Sequence, residues 1–404
     1  MNPPLQTPPA KLSAAAFANT GAVLIGVSDA GKIAGVTLKA ETLQGWINQK
    51  TQSRGHRARR RNQGCAHQPH RKRRCDQATR MIIEKPRKLI RPTIPITSVQ
   101  PYKLDTDKHP SLALMTTTLR ANHRFAADSV DRGIALFGET WATEFEQVVS
   151  AMFPSAEAIA AAAKGYATFA MQSMRLQAAF EKERQYKKKT HEQASSEVYF
   201  NEKHMMQEYL PGLLLSHFLW PHHYRQLQFF DSAFVQAMRV AGATSFLEVG
   251  IGTGLYSGLL LRRLPEIKGV GLDISPSSKK FAETQMIALG VANRYHVELR
   301  DVTVTPVEPK ADWLVCVEVL EHLDDPTAFL RGLRRNMAPG ARAFITAALN
   351  AANADHIYLY RNSNEVLAQL IAAGFTLEQS FVGAAYKPST PGVPVPEAAA
   401  FIVF

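Results

Sequence analysis

The stretch 246-FLEVGIGTGLYSGLLLRRL-264 combines an apolar run, three glycines at alternate positions and an apolar helix pattern. "FLEVG" is typical of a buried strand and "LYSGLLLRRL" of a helix, so "GIGTG" is predicted to be a strand-to-helix turn. Glycine at such a turn lets the backbone approach a ligand without a Cβ in the way, and the N–H groups face the crevice of the sheet. The stretch therefore predicts an α/β fold with a ligand site above this turn.

The rest of the C-terminal half repeats this alternation of strand and helix patterns. Strands are expected near 246–250, 268–274, 295–300, 312–317, 341–348, 375–382 and 398–404, with helices between the first five and near 364–373. This order predicts a Rossmann-like, seven-stranded, doubly wound parallel sheet with a crevice at the carboxyl ends of its strands. Apolar residues spaced at three and four from 126 to about 240 predict a helical region that precedes the sheet as a substrate lid.

The glycine spacing separates two kinds of cofactor site. A dinucleotide fingerprint counted from Gly250 and Gly252 needs a third glycine at 255, but Leu255 stands there and the third glycine is Gly254. Asp273 ends the next strand, where a carboxylate can accept hydrogen bonds from both hydroxyls of an adenosine ribose. Each feature alone has another interpretation, a tight turn without a ligand or a helix N-cap. Their joint spacing favours a cofactor site and disfavours a dinucleotide-dependent dehydrogenase.

With these residues the sequence resembles the class I S-adenosylmethionine-dependent methyltransferases over roughly residues 240–404. Their E/D-x-G-x-G-x-G motif is present at 248–254, and "LRDVT", "ADWLVCVEVLEHLDDP" and "NMAPGARAFITAALN" match later motifs in the same order. The resemblance implies S-adenosylmethionine as the cofactor and methyl transfer as the activity. The positions that it assigns to cofactor binding are Glu248, Gly250, Gly252, Gly254, Asp273, Ile274, Asp301, Val302 and Glu318.

The segment "VEVLEHL" supplies candidate catalytic residues after the fourth strand. Glu318, Glu321 and His322 are spaced to share one face of a helical turn, and His356 follows the fifth strand at the same end of the sheet. These four residues resemble the E-x-x-E-H and distal His of small-RNA 2'-O-methyltransferases, and similar residues occur in ubiquinone-pathway O-methyltransferases. That resemblance implies a divalent metal site. The alternatives are a metal-free general base with its orienting partners, or a turn that merely packs.

The aromatic segment 199–230 ahead of the sheet is interpreted mainly as a packing layer. Pro221 is expected to start a helix, because proline suits the first helical position. Its first turn would then bring His222, His223 and Tyr224 to the cofactor cleft as further candidate catalytic residues. No substrate signature is apparent in this segment.

The N-terminal segment carries the basic charge of the chain. Residues 1–114 hold 20 Lys and Arg against 6 Asp and Glu, whereas the remainder holds 27 against 29. Residues 11–39 predict a short helix and a hairpin and resemble the start of an AlbA-type DNA-binding domain associated with Schlafen proteins. The following basic run has almost no large apolar residues, so we expect disorder there and a functional unit that begins near Met115. Cys65 and Cys75, with two histidines between them, match no common zinc module.

These observations predict three segments: a basic, largely irregular extension (1–114), a helical lid (115–240) and a methyltransferase domain (241–404). The expected activity is O-methylation of a small molecule in a bacterial biosynthetic pathway, with RNA-end 2'-O-methylation or DNA binding through the basic segment as alternatives. The near-neutral body disfavours nucleic acid as a partner. No stretch is long and apolar enough for a membrane span, and the three cysteines suggest a reducing compartment. We therefore expect a soluble cytoplasmic protein, with homodimerisation through the helical region as a further hypothesis.

Overall fold

A computed structural model describes residues 103–388 and 392–404, together with two strands nearer the N-terminus, β1 (Val23–Val27) and β2 (Ile33–Thr37). These two strands pair antiparallel, with Ile25 opposite Gly35, as expected for the predicted hairpin. The helix expected ahead of them and the basic run after them lie outside the described residues. The resemblance to an AlbA-type domain remains a prediction.

A seven-stranded sheet forms the centre of the compact unit 94–404. Its strands are β3 (Ser245–Val249), β4 (Lys268–Asp273), β5 (Tyr295–Leu299), β6 (Ala311–Cys316), β7 (Met337–Leu349), β8 (Leu377–Ala384) and β9 (Glu397–Val403). They lie in the order β5-β4-β3-β6-β7-β9-β8, with β3 at the point where the order reverses. All seven strands were predicted within a few residues of these bounds. In an open sheet of this kind, ligands bind outside the carboxyl ends of the strands near that reversal.

The sheet is mixed, which corrects the expectation of a wholly parallel one. β9 runs antiparallel to both of its neighbours, with Ala347 opposite Ala399 and Val382 opposite Ala399 on the other side. Parallel neighbours need a crossover, usually a helix, whereas antiparallel neighbours can be joined by a loop. The connection between β8 and β9 includes the proline-rich sequence "KPSTPGVPVP" at 387–396, and such a composition does not favour a helix.

Helices cover the sheet and extend ahead of it. They are α1 (Pro110–Asn122), α2 (Ser129–Met152), α3 (Ala156–Glu183), α4 (His191–Glu197), α5 (Leu210–Leu219), α6 (Pro221–Phe229), α7 (Gln236–Val240), α8 (Leu255–Arg263), α9 (Pro276–Ala288), α10 (Pro326–Arg335) and α11 (Ser363–Ala372). Short π-helical turns lead into α5 (Met205–Tyr209) and α7 (Phe230–Val235). Pro221, Pro276 and Pro326 each begin a helix, where a missing N–H removes no hydrogen bond.

The helices ahead of the sheet share a buried core with it. Trp141 is fully buried and donates an indole hydrogen bond to the carbonyl of Phe218 at 3.1 Å. Phe230 packs edge-on against Phe344 of β7, with 4.9 Å between the ring centroids. The helical region is therefore fixed to one face of the sheet. Among the described residues, no helix combines the length and apolar character needed to cross a membrane.

Candidate active site

A cavity of about 1320 Å³ lies where the carboxyl ends of the central strands face the helical region. The glycine loop, the end of β4 and the turn after β6 form its floor, while residues of α3, α5 and α6 form the opposite wall. All of the residues predicted for the cofactor except Gly254 line this cavity, as do His322, His356, His222 and His223. Residues far apart in sequence therefore meet in one chamber.

The glycine loop requires backbone angles that favour glycine. Gly250, Gly252 and Gly254 have φ values of 74°, 53° and 78°, all in the left-handed region. Gly250 also has no room for a Cβ, which would lie 2.4 Å from Val319. At Gly252 an added Cβ would lie 3.7 Å from Leu213 Cδ2, an ordinary contact distance across the cavity, so a side chain there would occupy space beside the loop. The bare backbone at Gly252 is thus available to a ligand.

Asp273 stands beside this bare backbone at the end of β4. Its carboxylate accepts hydrogen bonds from the N–H of Gly252 at 3.1 Å and of Ser275 at 2.8 Å. Burial raises the pKa of Asp273, and these backbone bonds oppose that shift. The N-cap of α9 is Ser275, whose side chain accepts from Ser278 N. Asp273 is therefore not the cap of that helix, and its carboxylate remains directed to the loop and cavity.

Glu248 supports the loop from below. Its buried carboxylate accepts hydrogen bonds from the hydroxyls of Ser257 in α8 and Tyr295 in β5, the latter at 2.7 Å. Burial raises the pKa of Glu248 to about 7. The carboxylate thus joins β3 to two neighbouring elements, although it was predicted to bind the cofactor itself.

The remaining predicted cofactor residues lie along the cavity edge after β4 and β5. Ile274 is 40% exposed, whereas Val302 is buried. Asp301 Oδ1 accepts hydrogen bonds from the backbone N–H and the hydroxyl of Thr303, at 2.8 and 2.6 Å. These contacts shape the turn that follows β5, where the adenine edge is predicted to bind.

Glu318 is held at the start of the turn after β6. It has a φ of 51°, and its carboxylate accepts hydrogen bonds from the hydroxyl of Thr346 at 2.6 Å and the amide of Gln226 at 3.4 Å. Burial raises the pKa of Glu318, while Thr346 lowers it. Gln226 lies on α6 and was not predicted, because a glutamine within an aromatic helix has no distinguishing sequence signal.

Three of the four predicted metal ligands come together. Ligand atoms of Glu321, His322 and His356 lie within 4.8 Å of one another. Both carboxylate oxygens of Glu321 are buried without a hydrogen-bond partner in the described part of the chain. Burial and the neighbouring Glu318 raise the pKa of Glu321 well above its usual value. Glu318 is not among these three residues; the hydrogen bonds from Thr346 and Gln226 both reach its Oε1, and its carboxyl lies beside that of Glu321.

Hydrogen bonds fix the tautomers of both histidines in this group. Nδ1 of His322 lies 3.2 Å from the carbonyl of Asp355, and Nδ1 of His356 lies 2.7 Å from that of Ala351. A carbonyl can only accept, so each Nδ1 carries a proton. Burial and the adjacent His322 lower the pKa of His356 to about 4, so His356 is neutral and its Nε2 keeps a lone pair. His322 and a neutral His356 therefore accompany Glu321.

Asp355 is the main residue that the sequence analysis missed. It is fully buried, accepts hydrogen bonds from the hydroxyls of Tyr199 and Tyr209, and lies 3.4 Å from Nδ1 of His322. Burial would raise the pKa of Asp355, but His322 and His356 bring it below its usual value. In the sequence, only its position directly before His356 could have indicated that Asp355 belongs to the site. Its partners come from a different part of the chain.

The predicted first turn of the helix at Pro221 is present, but only part of it faces the cavity. His222 and His223 line the cavity beside His217, and their ring centroids are 4.3 Å apart. The prediction that Tyr224 faces the cleft is wrong. Tyr224 does not line the cavity and packs against the rings of Phe137 and Phe218. Successive residues of a helix point about 100° apart, so three consecutive side chains cannot all face one cleft.

Parts of the chain are similar to known methyltransferases. Residues 247–343 match the family model described as a methyltransferase domain. A ubiquinone biosynthesis O-methyltransferase of Xanthomonas euvesicatoria pv. vesicatoria is 30% identical over 109 residues, which are 27% of this chain and 44% of that protein. A protein of the same name from Ralstonia nicotianae is 26% identical over 144 residues, covering 35% and 55%. The chain thus spans about half the length of the curated relatives it matches.

Solved structures are also similar to parts of the chain. The mitomycin 7-O-methyltransferase is 16% identical, covers 64% of this chain and 73% of its own, and has a TM-score of 0.41. A methyltransferase of Geobacter sulfurreducens solved with S-adenosyl-L-homocysteine is 17% identical, with 43% and 89% covered and a TM-score of 0.35. The family match at 247–343 includes the glycine loop, Asp273 and the Glu321–His322 turn. Residues 247–343 thus match a methyltransferase domain, and the sheet that they belong to has a Rossmann-like α/β fold.

Proposed function

We propose that the protein transfers a methyl group from S-adenosylmethionine to a hydroxyl oxygen of a small molecule. The observation that carries this proposal is the single cavity that joins Asp273 and the bare backbone of Gly252 to the histidines after β6 and β7. One ligand can contact the loop while a second contacts the histidines. Methyl transfer needs this arrangement, because it depends mainly on holding the nucleophile in line with the methyl carbon.

The residues of the loop suit an adenosine cofactor. Asp273 offers carboxylate oxygens to ribose hydroxyls, and the lack of a Cβ at Gly252 lets the rest of the molecule approach the backbone. Asp301 and Val302 border the place predicted for the adenine edge. When bound, S-adenosylmethionine supplies a methyl group on a positively charged sulfur. Glu248 contributes indirectly, by holding β3 and α8 in register below the loop.

The residues after β6 suit removal of the hydroxyl proton. Nδ1 of His322 faces the carbonyl and the carboxylate of Asp355, at 3.2 and 3.4 Å, which leaves Nε2 as the atom that would accept the proton. This is the arrangement of a general base with an orienting partner. The ring lies at the cavity wall, close to His356.

We further propose that a divalent cation binds to Glu321, His322 and His356. In the described part of the chain the buried carboxylate of Glu321 accepts no hydrogen bond, and with Nε2 of His322 and of His356 it forms a donor set that suits Mn²⁺, Fe²⁺ or Zn²⁺. Such a cation, when bound, lowers the pKa of a nearby hydroxyl. Without it, His322 would accept the proton, with Asp355 as its orienting partner. Chemistry of either kind fits O-methylation in a bacterial biosynthetic pathway.

Calorimetric titration of the full chain with S-adenosylhomocysteine tests the proposed cofactor. We expect one site per chain, and absence of binding would refute the proposal. A second experiment follows S-adenosylhomocysteine release from S-adenosylmethionine with a panel of small hydroxyl compounds. Each assay is run after exhaustive chelation and again after addition of Mg²⁺, Mn²⁺, Fe²⁺ or Zn²⁺. Full activity after chelation would refute the cation but not the methyl transfer.

A further inference from the structure

The loop after β7, residues 350–356, carries Asp355 and His356 and is held by the helical region. It forms hydrogen bonds with residues that precede the sheet, among them Gln177, Tyr186, Lys189, Tyr199 and Tyr209. The three tyrosines of this set each donate their hydroxyl proton to an oxygen of the loop. The position of the loop thus depends on elements outside the sheet.

Two of these tyrosines hold the residue that faces His322. Tyr199 and Tyr209 donate to Oδ2 of Asp355, at 3.0 and 2.6 Å. The same oxygen lies 3.4 Å from Nδ1 of His322. Within the described part of the chain no further donor reaches this buried carboxylate, and its Oδ1 has no partner. The two hydroxyls therefore determine where the acceptor for Nδ1 of His322 lies.

The third tyrosine holds the acceptor for His356 in the same manner. Tyr186 donates to the carbonyl of Ala351 at 2.6 Å, and Nδ1 of His356 lies 2.7 Å from that oxygen. A carbonyl oxygen has two lone pairs and can accept both protons. Each histidine thus has its Nδ1 acceptor fixed by a hydroxyl of the helical region.

We infer that Tyr186, Tyr199 and Tyr209 are positioning residues, which set the ring orientations of the two histidines by way of the loop after β7. A histidine whose Nδ1–H is bonded to a fixed acceptor directs its Nε2 to one place. The inference rests on the proposed function, because it says how the site of that reaction is held together. All three tyrosines lie outside 247–343, so the helical region completes a site that the methyltransferase match contains only in part.

The Nδ1–H resonances of the two histidines test the inference without a substrate or a cation. The full chain is labelled with ¹⁵N-histidine, and His322→Gln and His356→Gln assign the two NMR signals. The double variant Tyr199→Phe and Tyr209→Phe removes only hydroxyls and should shift or broaden the His322 signal more than the His356 signal. Tyr186→Phe should do the reverse. An unchanged His322 signal in the double variant, or an unchanged His356 signal in Tyr186→Phe, would overturn the inference.

Tyr224→Phe is the matched control, because it makes the same change on a ring that packs outside the cavity. Both histidine signals should stay in place in this variant. The affinity for S-adenosylhomocysteine, measured by calorimetry, should be the same in all of the tyrosine variants. Movement of both signals in the control would mean that loss of any such hydroxyl loosens the fold, and this result would also overturn the inference.

The same variants connect ring orientation with the chemistry of the site. Loss of a partner that orients a metal-binding histidine typically lowers metal affinity roughly 10- to 100-fold, so we expect the Zn²⁺ and Mn²⁺ affinities of the double variant and of Tyr186→Phe to fall about tenfold. Cation affinities equal to those of the unmodified protein would overturn the inference. If the unmodified protein binds no cation, the proposed cation fails and the histidine signals alone decide the role of the tyrosines. Absence of S-adenosylhomocysteine binding in the unmodified protein would refute the proposed function instead.

Discussion

The hydroxyl of Tyr209 donates a 2.6 Å hydrogen bond to the buried carboxylate of Asp355. Tyr209 ends the π-helical turn that leads into α5, and Asp355 lies in the loop after β7. The same carboxylate oxygen lies 3.4 Å from Nδ1 of His322. One carboxylate thus ties the helical wall of the cavity to the histidine proposed as the base. Movement of this wall would therefore change the orientation of His322.

Replacement of Asp273 should weaken cofactor binding. Asp273→Asn removes the charge that would face the ribose hydroxyls, and each charge-assisted hydrogen bond contributes roughly 1.5 to 3 kcal/mol. We expect an increase in the dissociation constant of S-adenosylhomocysteine of at least about tenfold, measured by calorimetry. Asp312→Asn, an exposed position at the start of β6, is the control. Unchanged affinity in Asp273→Asn would contradict the assignment of the loop.

Glu321→Gln separates the two proposed mechanisms. Glutamine has nearly the shape of a protonated glutamate, so metal-free catalysis by His322 should change little. A cation would lose an anionic ligand, and its affinity should fall roughly 10- to 100-fold or more. Calorimetric titration with Mn²⁺ and with Zn²⁺ measures this without a substrate. Equal cation affinity in the variant and the unmodified protein would exclude Glu321 as a ligand.

Glu248 should make stability depend on pH. Burial raises the pKa of Glu248 from near 4.5 to about 7, so the folded protein holds this proton more tightly than the unfolded chain. The stabilisation is complete below pH 4.5 and is lost as pH rises through 7, an effect of up to about 3 kcal/mol. Glu248→Gln cannot ionise and keeps an oxygen for Ser257 and Tyr295. The free energy of unfolding in urea is measured for this variant and for the unmodified protein. The difference between the two should change in favour of the variant from pH 5 to pH 8. A difference that does not change with pH would contradict the raised pKa of Glu248.

The N-terminal boundary of the folded unit should lie before α1 rather than at Met115. α1 begins at Pro110, Leu112 and Met115 are fully buried, and the N–H groups of Ser111 and Leu112 donate to Glu146 at 3.0 and 2.8 Å. A chain that starts at residue 94 should keep its melting temperature. A chain that starts at Met115 leaves Glu146 without these donors and loses a buried leucine, which should cost several kcal/mol. Equal melting temperatures for the two chains would show that α1 is dispensable.

The strand and helix pattern from 246 onward could be predicted from the sequence, because it follows from local periodicity and from glycine and proline at turns. The glycine loop and Asp273 were identified for the same reason, since their spacing within a strand-turn-helix unit is itself the signal. The antiparallel direction of β9 was missed, although the proline-rich connection ahead of it was visible. Alternating strands and helices usually form a parallel sheet. Here the connection between β8 and β9 joins two antiparallel strands.

The catalytic part of the site was decided by tertiary structure. The sequence placed Glu318, Glu321, His322 and His356 at one end of the sheet. Packing decided that Thr346 and Gln226 donate hydrogen bonds to Glu318, whereas among the described residues no donor reaches the carboxylate of Glu321. Asp355 gained its importance only when tyrosines more than a hundred residues away closed over it. Local pattern determines which element a residue occupies. Whether its polar atoms have hydrogen-bond partners depends on residues that are distant in sequence, and only the folded chain brings these residues together.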